Sequence, residues 1–125
     1  MTDSLKDIHA VVTGGARGIG AAIADRLDAL GVRLTLMGRQ LDPLKKKCTS
    51  LRQAQAIAVD VTQEPAVAEA FANAREGFGP IGILINNAGA ASSAPLDRLD
   101  LKDWQAMLDV NLTSVFLCSR AALPD

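Results

Sequence analysis

The chain has no tyrosine, one tryptophan, one histidine and two cysteines among its 125 residues, and aromatic side chains make up only 3% of it. Each scarcity closes a route. With no phenol present, tyrosine-based general-acid chemistry is excluded for these residues. Cys48 and Cys118 are too few for a disulfide framework and lack neighbours at metal-ligand spacing, so both are expected to be reduced, packed thiols with no metal site. His9 leads into an apolar run without a nearby ligand partner, which favours a packing or surface role over catalysis. No apolar stretch approaches the roughly 20 residues of a membrane span. The first seven residues are polar and carry Asp3 and Asp7 where a signal peptide would place basic residues and then an apolar run, so a cytoplasmic protein is expected. Thirteen Lys+Arg against fourteen Asp+Glu leave a formal net charge of −1, and no global basic field draws the chain to nucleic acid or anionic lipid. Lys45, Lys46 and Lys47 read as a solvated face. What remains is small-molecule work by one globular domain, since 125 residues with 49% hydrophobic and 22% charged side chains leave no room for a second.

The hydrophobic pattern alternates between two periods. Residues 8–13 are apolar or β-branched and run straight into Gly14-Gly15, a buried strand ending at a tight turn. Ile19, Ile23, Leu27 and Leu30 then recur at helical spacing, with Asp25, Arg26 and Asp28 opposite and Gly31 placed to end the helix. The alternation continues as a strand over 32–37, a helix over 42–52, a strand over 55–59 and an alanine-rich helix over 63–76 with Thr62 as its N-cap. Residues 81–85 form an unbroken apolar run, as in a strand buried on both faces of a parallel sheet. A last helix is expected after Asp100, capped by that carboxylate with Asp103 three residues on, running through Trp104, Leu108, Val115 and Phe116 toward Pro124. Strand and helix in strict alternation predict an α/β, doubly wound parallel sheet covered by helices on both faces; in the Rossmann-like form of that fold, of order 3-2-1-4, the strand at 81–85 would lie on an edge.

Gly14, Gly18 and Gly20 sit between the first strand and first helix, where a sharp turn and a close backbone approach to an anion are both served by glycine. The helix start offers amides and a positive dipole end to a pyrophosphate; an ordinary glycine-rich turn would use the same residues. The full string Thr13-Gly14-Gly15-Ala16-Arg17-Gly18-Ile19-Gly20 resembles the cofactor loop, Thr-Gly-x-x-x-Gly-x-Gly, of the short-chain dehydrogenase/reductase family. Asn86-Asn87-Ala88-Gly89 matches that family's Asn-Asn-Ala-Gly motif, and Asn111 its active-site asparagine. The resemblance runs from about Ile8 to the last residues.

The resemblance implies an NAD(P)-dependent oxidoreductase that moves a hydride between a nicotinamide cofactor and a secondary alcohol or ketone. Its substrate stays open among a 3-oxoacyl thioester, a sugar, a steroid and other carbonyl compounds. Gly14, Gly15, Arg17, Gly18, Ile19 and Gly20 would form the cofactor loop. Asp60 would accept from the adenine amine while the Val61 amide donates to the ring, although Asp60 could instead cap the next helix. Asn87, Ala88 and Gly89 would lie beneath the cofactor or simply hold the strand ends together, and residues 90–97 would line one wall of the pocket. At the end of the second strand, where an acid would select NAD, stands Arg39; with Arg17 it favours NADP over NAD, unless Arg39 only stacks on adenine or faces water. Asn111 is the one catalytic residue of the family's set found here, its backbone holding a water of the proton relay. The family's serine and Tyr-x-x-x-Lys segments are absent from this sequence. The chain is accordingly expected to be the N-terminal, cofactor-binding part of a single domain, inactive by itself, and homodimeric or homotetrameric in its full-length form. A non-catalytic nucleotide-binding or interaction module is the alternative.

Overall fold

Every apolar run becomes a strand of one parallel sheet in the computed structural model, which describes residues 2–89 and 94–125. The strands are β1 (His9–Thr13), β2 (Arg33–Gly38), β3 (Ala54–Ala58) and β4 (Ile81–Ile85), paired in the order β3-β2-β1-β4. All three pairings are parallel, with Val11 opposite both Thr35 and Leu84. The helices are α1 (Gly18–Ala29), α2 (Leu41–Cys48), α3 (Glu64–Phe78), α4 (Leu101–Leu108) and α5 (Ser114–Ala122). This is the expected doubly wound order.

Side chains alternate across a strand, so consecutive residues of β1 feed two cores. Val11 and Met37 pack with Val67, Phe71 and Leu117 on the face covered by α3 and α5. Ala10, Val12, Leu34 and Leu36 pack with Ala24 and Leu44 on the face covered by α1 and α2. All five residues of β1 are buried, whereas β4, one of the two edge strands, has only Ile81 buried. No helix among the described residues is long and apolar enough to cross a membrane.

The end of the sheet where the strands begin is closed by a polar network inside the core. The His9 Nδ1–H donates to the Gly79 carbonyl at 2.9 Å, and Nε2 accepts from the Thr35 hydroxyl at 2.6 Å. Gln55 Nε2 donates to the same Thr35 oxygen at 2.8 Å and to the Ala74 carbonyl at 3.1 Å. His9 also meets the edge of Phe78, with ring centroids 5.5 Å apart. Its role is packing, consistent with its place at the head of an apolar strand.

Several local expectations are corrected. Thr62 does not cap α3: the N-cap is Gln63, and the Thr62 hydroxyl turns back to Asp60. Asp100 is the N-cap of α4 without a side-chain bond, so the expected carboxylate cap is not made. Helix α2 stops at Cys48 because the Thr49 and Ser50 hydroxyls bind the Lys46 and Lys47 carbonyls and close its end. Ile19 is 74% exposed; it sits in the first turn of α1, ahead of the sheet contact made by the rest of the stripe. The last helix is not uniform. A π-helical turn over Asp109–Thr113 separates α4 from α5, and Trp104 and Phe116, placed on a packing stripe by ordinary helical spacing, are exposed.

Candidate functional site

The cleft lies where the strands end. It has a volume of about 380 Å³ and is bordered by the turn after β1, the ends of β2 and β3, and the loop after β4. Gly14 enters the turn with φ +66°, a left-handed conformation that a side chain would strain. Gly20 permits the closest approach, since a Cβ there would stand 2.2 Å from the Gly14 carbonyl oxygen and 2.5 Å from Asn87 Nδ2. Arg17 is the extended N-cap of α1 and no side chain caps the helix, so its first amides and positive dipole end face the cleft margin uncompensated.

Thr13 fastens this turn to β4. Its oxygen accepts the Asn87 amide at 3.0 Å and the Ala88 amide at 2.9 Å, and its hydroxyl points at the Ile85 carbonyl at 3.4 Å. Asn87 Nδ2 completes the link by donating to the Gly14 carbonyl at 3.0 Å. The loop after β4 is thus held to the glycine turn by one hydroxyl and one amide. Thr13 belongs to the glycine motif, but nothing in the spacing announces what its hydroxyl does.

On the other flank, Asp60 Oδ1 accepts from both the Thr62 amide at 3.0 Å and the Thr62 hydroxyl at 2.7 Å. Those two bonds, and more weakly the nearby Arg39 charge, hold the Asp60 carboxyl below its ordinary pKa. Asp60 Oδ2 is 3.8 Å from Arg39 Nη2. Pro43 and Leu44 of α2 supply an apolar wall beside these charges; neither was singled out by the sequence, although Leu44 follows the end of β2 closely enough to suggest it.

Asn111 is at the centre of the π turn, and its neighbour Val110 lines the cleft. A Cβ on Gly89 would fall 2.8 Å from Asn111 Oδ1, so the amide is packed against the loop after β4. π turns inside α-helices recur at functional sites, yet no period or motif marks this one in advance.

The structure therefore brings Gly14, Arg17, Arg39, Asp60, Val61 and the Asn87–Ala88–Gly89 loop to one cleft. Gly15, Gly18, Ile19 and Gly20 do not line it. Gly15 lies under Leu36, whose Cδ2 would be 2.9 Å from an added Cβ; Gly20 shapes the turn from behind, and Gly18 and Ile19 face outward. Of residues 90–97, 90–93 lie outside the described residues and Ala94, Pro95, Leu96 and Asp97 are exposed away from the cleft. Cys48 and Cys118 are free thiols raised in pKa by burial, Cys118 to about 11, and neither borders the cleft. No cluster of three or more metal-ligating side chains occurs among the described residues.

Residues 8–125 match the short chain dehydrogenase family. An uncharacterized oxidoreductase of Staphylococcus saprophyticus is 39% identical over 125 residues, 96% of this chain and 53% of that protein. The NADP-dependent (R)-specific alcohol dehydrogenase of Lentilactobacillus kefiri is 36% identical over 126 residues, 98% of this chain and 50% of the relative. A solved double variant of a Serratia marcescens short-chain dehydrogenase/reductase superposes with a TM-score of 0.89 at 34% identity, covering 96% of this chain and 51% of the other. The chain spans about half the length of the relatives it matches.

Proposed function

The chain belongs to the short-chain dehydrogenase family of NAD(P)-dependent oxidoreductases, and we propose that it forms the nucleotide-binding part of such an enzyme, with NADP preferred to NAD and a secondary alcohol or ketone as substrate. The observation that carries this reading is the cleft itself. An uncapped helix start and a left-handed glycine turn stand at one end of it, and an arginine beside an acid at the other.

The residues present suit a dinucleotide. The turn at Gly14 and the start of α1 would take the pyrophosphate, Asp60 and the Val61 amide the adenine, and Arg39 with Arg17 a 2′-phosphate. Asn87, Ala88 and Gly89 would border the nicotinamide half, with Asn111 holding a water for proton transfer. The bound cofactor supplies the hydride. A general acid at the substrate oxygen is needed as well, and without a tyrosine these residues do not provide the family's own. We therefore take this chain to bind cofactor without turning over substrate alone. The full-length protein would be a homodimer or homotetramer, a reading supported by the exposed Leu101, Trp104, Leu112 and Phe116 along the last helical segment.

Titration with NADPH and NADH tests the reading. The expected result is binding of both, with NADPH tighter by about tenfold, the worth of one charge-assisted phosphate contact. Equal affinities would remove the NADP preference, and no binding of either would remove the cofactor site. Carbonyl reduction by this chain alone would refute its inactivity. The alternative is a nucleotide-binding module without catalysis; binding without turnover even in the full-length protein would select it.

A further inference from the structure

Resting on the cofactor reading above, we propose that Thr62 is a positioning residue for nucleotide selectivity: by holding Asp60 Oδ1 it stops that carboxylate from closing on Arg39, and so keeps Arg39 available to a phosphate on the adenosine 2′-position. An acid and an arginine at neighbouring strand ends ordinarily settle into a short, charge-assisted pair with N···O near 2.7–2.9 Å. Here the separation is 3.8 Å, beyond hydrogen-bond distance but close enough for attraction.

The cause of the gap is local. Thr62 spends both its amide and its hydroxyl on the same oxygen of Asp60. Gln63 Nε2 donates to the Thr62 hydroxyl oxygen at 3.3 Å, which leaves the hydroxyl proton directed at Asp60. The carboxylate is thereby held two residues along its own chain, with Oδ2 facing Arg39 at 3.8 Å. Arg39, 68% exposed on its side chain, keeps its donors for a ligand. Asp60 still opposes a 2′-phosphate through its charge, so the two side chains influence selectivity in opposite directions.

The test is isothermal titration of the protein with adenosine 2′,5′-bisphosphate and with 5′-AMP, which differ only in the 2′-phosphate. The readout is the ratio of the two affinities. Contacts to adenine are common to both ligands and cancel. Thr62→Val frees the carboxylate to pair with Arg39 and should lower the preference for the bisphosphate about threefold, while Thr62→Ser should restore it. Asp60→Asn should raise the preference about threefold. With Arg39→Ala the preference should collapse, and adding Thr62→Val should then change nothing further. A general structural defect would weaken both ligands alike and leave the ratio where it was. An unchanged ratio in Thr62→Val, with both nucleotides still bound, overturns the proposal and spares the cofactor site. Should Thr62→Val fail to fold, Thr62→Ala, which also removes the hydroxyl, carries the same expectation, and an unchanged ratio in it overturns the proposal equally. Failure of the unsubstituted protein to bind either nucleotide removes the site and the proposal together.

Discussion

Thr13 and Thr35 are both buried, at 2% and 0% exposure, yet they serve opposite ends of the same sheet. Around Thr35 the polar groups are consumed internally: Gln55 gives to Thr35, Thr35 to His9, and His9 to the Gly79 carbonyl. Around Thr13 a similar economy joins β1 to the loop after β4, but next to it the start of α1 has no side-chain cap and Arg39 stops short of Asp60. One end is a lock with every donor matched. The other is a frame built around donors left over, and leftover donors beside a cleft are what a ligand can use.

The comparison can be broken most forcefully at Gly20. Gly20→Ala drives a methyl group into the Gly14 carbonyl at 2.2 Å, a backbone group that cannot swing aside as a side chain would. A loss of about 3 kcal/mol in urea unfolding is expected, together with loss of nucleotide binding. The paired threonines sharpen it. Thr13→Val strands the Asn87 and Ala88 amides and should cost about 2 kcal/mol while also weakening nucleotide binding; Thr35→Val should cost about 1–2 kcal/mol with binding intact in whatever fraction stays folded. If Thr35→Val disturbed nucleotide affinity as much as Thr13→Val, the two ends would not be separable.

The smallest effect is one of pH and belongs to the Thr35 end alone. Burial holds the His9 pKa below its ordinary 6.5, against a smaller opposing pull from its bond to Gly79; Arg33 and Arg75 lower it further and Asp125 raises it. In the unfolded chain the same imidazole takes a proton near pH 6.5. The unfolded state thus binds more protons once the pH drops below that value. Stability should be full above pH 6.5 and decline on acidification until the folded histidine is itself protonated. Urea midpoints compared at pH 7.5 and pH 5.5 should show this decline, and His9→Phe should flatten it. Asp60 and Asp125, both shifted downward from 3.8, titrate below this window.

Much of the fold was legible because its signals are local and repeated. The apolar runs end at glycine, aspartate or asparagine and alternate with helices, which gives a doubly wound parallel sheet; its order, β3-β2-β1-β4, is the Rossmann-like one. The glycine turn and the Asn87 loop were legible as motifs, and they do meet in one cleft. What escaped depends on choices between nearly equal partners. Thr62 could cap α3 or bind Asp60, and both geometries are within reach of a threonine one or two residues away. Ile19 satisfies the helical period, but period alone does not say how far along a helix the sheet contact begins. The Arg39–Asp60 separation and the approach of Asn111 to Gly89 are set by tertiary packing, which has no counterpart in spacing.

The π turn has a bearing on any attempt to alter the length of this chain. A helix advances about 100° per residue, so the extra residue accommodated within Asp109–Thr113 acts as a phase slip between two rotors on one shaft. It lets Leu117 and Cys118 face the sheet while Trp104 and Phe116 look outward. Removing any one residue from 109–113 would give a smoother helix and turn α5 against α4 by more than a quarter of a revolution. The penalty would fall on Leu117 and its neighbours, several residues from the cut and whatever the identity of the residue removed.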